Sequence, residues 1–170
     1  MKKTLLYLAA LACCLFSLTA CGDDDEPVMA TGTYTITFGA DFYKVVDFAI
    51  IYYKAANGDT KREIMNSGTT WTKTITTSVP AELAYKIELE PLDEGDFKED
   101  KDSYDISMTG AIQGAISQGG TGNFSNSTTF ISSDLVAKSK VANILNSNRE
   151  RSYGYRLDKN GNATQYTPTF

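Results

Sequence analysis

Alternation of apolar and polar residues, broken at short intervals by turn residues, limits more than any other feature what this chain can fold into. From Thr33 onward, Tyr34, Ile36 and Phe38 share one face while Thr33, Thr35 and Thr37 share the other, the period-two pattern of a strand with one side buried. Gly39 to Asp41 closes that segment. The run from Phe42 to Lys54 reads as a long second strand with Val46, Phe48, Ile50 and Tyr52 on one face, ending at Asn57-Gly58, a strong hairpin signal. Thr60 to Met65 is the expected return strand. Trp71, Ile75 and Val79 then alternate up to Pro80, and Leu83, Tyr85, Ile87 and Leu89 alternate with Lys86, Glu88 and Glu90 up to Pro91.

A charged loop follows from Asp93 to Ser103. Beyond it Tyr104, Ile106, Met108, Ile112 and Ile116 keep one parity, interrupted by Gly110 and Gly114, as in a long strand with bulges or close backbone contacts. Gln118 to Thr129 is rich in Gly, Asn, Ser and Thr and reads as a flexible loop. The period then changes: Leu135, Val141, Ala142, Ile144 and Leu145 fit a helical stripe that Ser132 or Ser133 can cap and that runs out near Asn146. Tyr153, Tyr155 and Leu157 lead into Asn160-Gly161 and out through Thr164 to Thr167, a terminal hairpin with an expected type I′ turn. The pattern predicts a mainly β chain, an antiparallel β-sandwich of immunoglobulin-like or Greek-key kind, with one C-terminal helix and a terminal hairpin.

The start of the chain has another character. Lys2 and Lys3 precede an uncharged apolar run from Leu5 to Leu18, the layout of a secretory signal and too short for the roughly 20 residues of a membrane span. Leu18-Thr19-Ala20-Cys21 resembles the lipobox of bacterial lipoproteins, and Gly22, Asp23, Asp24, Asp25 and Glu26 resemble the acidic export tether of Bacteroidota surface lipoproteins. That resemblance implies a chain cleaved before Cys21, acylated there and displayed on the outer membrane. Three acyl chains, at about 0.8 kcal/mol per buried methylene, anchor a protein durably. The expected organisation is a signal peptide over 1–20, a lipidated cysteine and tether over 21–30, a sandwich core over 31–117, a loop over 118–129, and a helix plus hairpin over 130–170 that completes the same domain.

Composition narrows the chemistry. Loss of residues 1–20 from the 170-residue chain leaves roughly 150, enough for one domain that buries about 70% of its unfolded surface. Lys2 and Lys3 leave with the signal, so the remainder is more acidic than the −5 of the whole chain; nucleic acid is not an expected partner. Cys13 and Cys14 leave too, and Cys21 carries lipid, so packing alone must hold the fold. The sequence contains no histidine, which removes imidazole bases, His-containing triads and the commonest zinc ligand.

Tyr53, Asn57-Gly58-Asp59, Trp71-Thr72-Lys73-Thr74, Leu83 and Tyr104-Asp105-Ile106 resemble the spacing in MmpS-like transport-accessory domains and kindred immunoglobulin-like lipoproteins. The resemblance spans Thr33 to Ile116 and implies a β-sandwich.

Two groups of residues are candidates for a site. Asp100, Asp102 and Asp105 sit in the acidic loop, where calcium could find oxygen ligands, although the spacing matches no dedicated calcium loop and a solvated hairpin connection explains the charges better. Asp158, Asn160 and Asn162 are read as turn residues. Trp71, Tyr153, Tyr155 and Tyr166 are aromatic candidates for stacking on a ligand; Trp71, in phase with Ile75 and Val79, also fits a buried sandwich tryptophan, and the terminal-hairpin tyrosines are the ones expected to be exposed. No cofactor is expected, and no pair of carboxylates stands out for hydrolysis. These observations point to a non-catalytic surface lipoprotein that binds a glycan or protein ligand and meets the membrane through its lipid. The alternatives are a periplasm-facing accessory of an envelope transport complex and a carboxylate-dependent hydrolase.

Overall fold

The computed structural model describes residues 27–117, 122–132 and 134–170. The segments expected as signal peptide and export tether, with Cys21 between them, and Ser133, one of the two expected helix caps, lie outside the described residues. The chain is mainly β, an antiparallel sandwich. One sheet has four strands in the order β4-β1-β7-β8, formed by β1 (Met29–Phe38), β4 (Thr70–Ser78), β7 (Met108–Ser117) and β8 (Asn123–Ile131). The other has five in the order β11-β10-β5-β2-β3, formed by β2 (Ala49–Lys54), β3 (Thr60–Met65), β5 (Ala81–Leu89), β10 (Glu150–Leu157) and β11 (Ala163–Tyr166). Ser103–Tyr104 (β6) and Val136–Ala137 (β9) make a small separate pair.

Alternation places the core as expected for β1 and β5. Tyr34, Ile36, Leu83, Tyr85 and Ile87 have no exposed surface, and Phe38 and Leu89 keep only 2%. Each fully buried side chain of this size contributes about 1.5–3 kcal/mol relative to exposure. Gly110 permits a close approach of the two sheets: a Cβ there would stand 1.9 Å from the Tyr85 hydroxyl, so the position excludes any side chain.

The stretch from Phe42 to Lys54 is not one strand. Phe42–Val45 forms a single helical turn, α1, that puts Phe42 and Val45 into the core, with the Phe42 ring 4.3 Å from that of Phe38. A helical turn does not preserve the two-residue period. Consequently Ala49, Ile51 and Tyr53 face inward in β2, and Ile50 and Tyr52 face outward.

Of the loop expected over 118–129, residues 118–121 lie outside the described residues, and the part from Asn123 is corrected: Asn123–Ile131 is strand β8, paired in register with β7 from Asn123 opposite Ala115 to Thr129 opposite Thr109. Ser, Thr and Asn suit an edge strand with one wet face, while Phe124 and Ile131 anchor the dry one. Its composition looked like a loop for that reason. The expected single strand from Tyr104 to Ile116 is divided into β6 and β7. Between them Asp105 turns its carboxylate onto the backbone N–H groups of Ala40 and Ser107, each at 3.1 Å.

Helix α2 spans Lys138–Ser147, starting later than a cap at Ser132 or Ser133 would place it. Val136 is held in β9 opposite Tyr104, and Leu135 stays 68% exposed outside the helix. Val141 and Leu145, four residues apart, are buried beneath it. Asn146 fastens the helix to the loop after β5: its Nδ2 donates to the Leu92 carbonyl at 2.8 Å, and its Oδ1 accepts from the Leu92 N–H at 3.0 Å.

The terminal hairpin forms as β10 and β11, yet its turn is a three-residue connection. The Gly161 N–H donates to the Asp158 carbonyl at 2.9 Å and Gly161 takes φ 78°, a type I turn followed by a left-handed residue rather than type I′. The hairpin at Asn57-Gly58 has the same design, with the Gly58 N–H on the Ala55 carbonyl at 2.9 Å and φ 82°.

Candidate functional site

The aromatic candidates separate by face. Tyr153 and Tyr155 lie on the inner side of β10, 4% and 8% exposed, with ring centroids 6.3 Å from Tyr85 and 5.2 Å from Phe124 respectively. The exposure expected for them is therefore corrected: they share parity with Leu157 and fill the core. Trp71 is half-buried on edge strand β4, its ring parallel to that of Tyr34 at 6.5 Å and its Nε1–H donating to Glu63 at 2.8 Å. The same carboxylate accepts from the Tyr53 hydroxyl and from Lys73 Nζ, each at 2.8 Å. Burial works against the charge on Glu63, but Lys73, Trp71 and Tyr53 hold its carboxyl below the ordinary range. Glu63 and Lys73 thus close one open side of the sandwich between edge strands β3 and β4, and Trp71 is part of that closure.

The acidic loop does not gather a metal site. Asp100 pairs with Lys138 at 2.6 Å, the backbone carbonyl of Asp102 accepts the Lys138 N–H at 3.0 Å, and Asp105 caps backbone groups around Gly39. Among the described residues no group of three His, Cys, Asp or Glu side chains is placed to hold a metal ion. The loop instead docks on Asp41, which is 8% exposed. Lys101 and Lys44 reach its Oδ1, and the Asp105 N–H reaches its Oδ2 at 3.1 Å. The Lys101 ammonium is the chief reason that the Asp41 carboxyl lies at about 2. Asp158, likewise, accepts the N–H groups of Asn160 and Asn162 at 2.8 and 2.9 Å, as a turn residue does.

A recess opens in the five-stranded sheet where β2 ends and β5 begins. Tyr34, projecting from the other sheet, inserts its hydroxyl between these strands, donating to the Lys54 carbonyl at 3.0 Å and accepting from the Ala84 N–H at 3.2 Å. The phenol thus stands where a ladder hydrogen bond would otherwise run, and beyond it the strands part. The resulting groove, about 360 Å³, is lined by Lys54, Gly58, Pro80, Ala81, Glu82, Arg156 and Leu157. Ala55, Asn57, Thr77 and Ser78 continue it toward the first hairpin.

Beside the groove the outer face of the same sheet carries aromatic rings, each backed by a cation. The Arg156 guanidinium lies 4.4 Å from the Tyr166 ring, Lys86 Nζ 4.5 Å from the Tyr52 ring, and Lys54 Nζ 5.8 Å from the Phe170 ring. The register puts Tyr52 opposite Lys86 and Arg156 opposite Glu82, and the chain after β11 brings Phe170 to 6.4 Å from Tyr52. Arg156 Nε and Nη2 both donate to Glu82 Oε1, at 3.0 and 2.9 Å. Burial opposes the charge on Glu82, but Arg156 keeps its carboxyl below the ordinary range, so it is an acceptor at neutral pH rather than a proton donor. Burial, with Glu82 beside it, pushes the Tyr166 phenol up. Of the four aromatic candidates read from the sequence, Tyr166 alone belongs to this face. Tyr52, Lys86, Glu82 and Arg156 were missed because a residue on the outward parity of a strand carries no signal separating a binding face from a merely wet one.

Flat rings with polar edges, fixed charges and a neighbouring recess suit a ligand that has both hydroxyl-rich and apolar surfaces. No family model, curated protein or solved structure matches the chain.

Proposed function

We propose that this chain is a lipid-anchored, surface-displayed outer-membrane protein whose sandwich binds an extracellular glycan without turning it over. The anchor rests on the Leu18–Cys21 lipobox and the acidic residues after it. The binding role rests on one observation: Tyr52, Tyr166 and Phe170, each with a cation near its ring, lie on one outer face beside the groove at the end of the β2–β5 pairing. Sugar rings offer apolar faces to such a platform and hydroxyls to Glu82, Arg156 and Lys54.

Binding of the intact chain to an array of neutral and acidic polysaccharides tests the second part. Retention that is lost in both Tyr52→Ala and Arg156→Ala, and kept in Thr72→Ala on the opposite sheet, supports it. Capture of a protein but of no glycan would replace a glycan ligand by a protein one. Protease digestion on intact cells tests the first part: the native chain is cut, and Cys21→Ala is not. Protection of the native chain would place it on the periplasmic side.

A further inference from the structure

The sandwich has four edge strands, and three are blunted against pairing with another chain. On β3, Lys61, Arg62 and Glu63 carry charge. On β4, Lys73 points inward into its ion pair with Glu63. Strand β11 has only four residues. Inward charges, charged side chains and shortness are the devices by which folded proteins keep sheet edges from adding strands. Strand β8 uses none of these: its nine residues, Asn123 to Ile131, include no charged residue and no proline. Its one irregularity, where Phe130 is passed over between the Met108 and Thr109 pairings, sits near its C-terminal end and leaves Asn123–Thr129 regular.

The strand is also chemically symmetric about its centre. We propose that β8 is a self-association edge that pairs antiparallel with β8 of a second copy, around a two-fold axis through Ser127. That register sets Ser125 opposite Thr129 and Asn126 opposite Thr128 within the regular stretch. Hydroxyl residues thus meet hydroxyl residues on the solvent side, a favourable cross-strand pair. A two-fold interface places the same patch against itself, so a charge near the axis would face a like charge. On β8 there is none to repel. Ser125, Ser127 and Thr129 are exposed, and the pairing joins two four-stranded sheets into one of eight.

Cysteine cross-linking of the full chain on cells, with a mild oxidant and the unaltered chain as control for Cys21, tests the edge and the register together. Directly opposed residues have Cβ atoms about 5 Å apart, within reach of a disulfide. Ser127→Cys is therefore expected to give at least about tenfold more covalent dimer than Ser125→Cys, whose two copies would lie roughly 13 Å apart along the strands. Mixing Ser125→Cys with Thr129→Cys chains restores the link. Adding Thr129→Lys to Ser127→Cys abolishes it. Equal cross-linking at 125 and 127, no dimer at 127, or a link from 127 to a different protein would each overturn the pairing. All these positions are exposed, so the changes leave the core intact.

Discussion

On the outer side of the four-stranded sheet, β1 and β4 set Thr31, Thr33, Thr35 and Thr37 opposite Thr76, Thr74, Thr72 and Thr70, and β7 and β8 continue the face with Ala111, Gln113, Ala115, Ser125, Ser127 and Thr129. None of these is charged. On the outer side of the five-stranded sheet stand Tyr52, Lys54, Arg62, Glu82, Lys86, Glu88 and Arg156. Both faces are the polar half of the same alternation, but only one follows from strand formation. Threonine is β-branched and suits a strand by itself, whereas lysine and glutamate are depleted in strands. The threonine face needs no explanation beyond the fold. The charged and aromatic face does, and the proposed glycan binding would supply one.

Tyr34 belongs to the first sheet and shapes the second, so it is the place to break the contrast. Tyr34→Phe removes the one group that satisfies both the Lys54 carbonyl and the Ala84 N–H. Leaving these backbone groups unpaired costs about 2–3 kcal/mol, which chemical denaturation would read as a lower midpoint at unchanged slope. The groove should lose its shape with it, so glycan retention should fall even in conditions where the variant is fully folded. A variant with wild-type stability would mean that the strands close over the gap, and the groove would not be a built feature.

At the α1 end of the sandwich, Asp41 supports the loop that precedes β6. Its carboxyl, at about 2 in the fold, lies below the ordinary value of about 3.9. A depressed folded value means that the ionised form is favoured by folding. Its contribution, ~1–2 kcal/mol, is therefore complete above about pH 4 and disappears as pH falls from about 4 to about 2. In Asp41→Asn that part of the acid transition should be missing, while stability at neutral pH is lower than in the native chain. The same acid dependence in both chains would remove Asp41 from the account.

The sequence showed the core through parity along β1, β4 and β5, whose expected inward residues, including Ile36, Ile75 and Ile87, are buried. It failed where a helical turn reset the parity, at Phe42–Val45, and where an edge strand was built from turn-like residues, at Asn123–Ile131. The site was less legible. Tyr166 could be singled out as an aromatic in a hairpin, but its sisters Tyr153 and Tyr155 could not be told from core residues. The recess at Lys54 depends on a phenol arriving from the other sheet, a contact separated by 20 residues from Lys54 and 50 from Ala84. No local pattern records it.

The smallest expected effect tests the threonine face directly. Thr33 Oγ1 and Thr74 Oγ1 are 2.9 Å apart across β1 and β4, and Thr31 and Thr76 repeat the contact at 3.0 Å. Such exposed cross-strand pairs contribute roughly 0.2–1 kcal/mol each. Thr33→Val alone should cost the lower part of that range, because the Thr74 hydroxyl can turn to water. The double variant Thr33→Val, Thr74→Val should return close to native stability: valine keeps the branched shape that suits the strand, and no polar group is left without a partner. Glycan retention should be unchanged in both, against a loss in Arg156→Ala, whose own stability change should stay below about 1 kcal/mol because its pair with Glu82 is exposed. Retention lost through Thr33 and kept through Arg156 would exchange the roles of the two faces, making the uncharged sheet the one that meets the ligand.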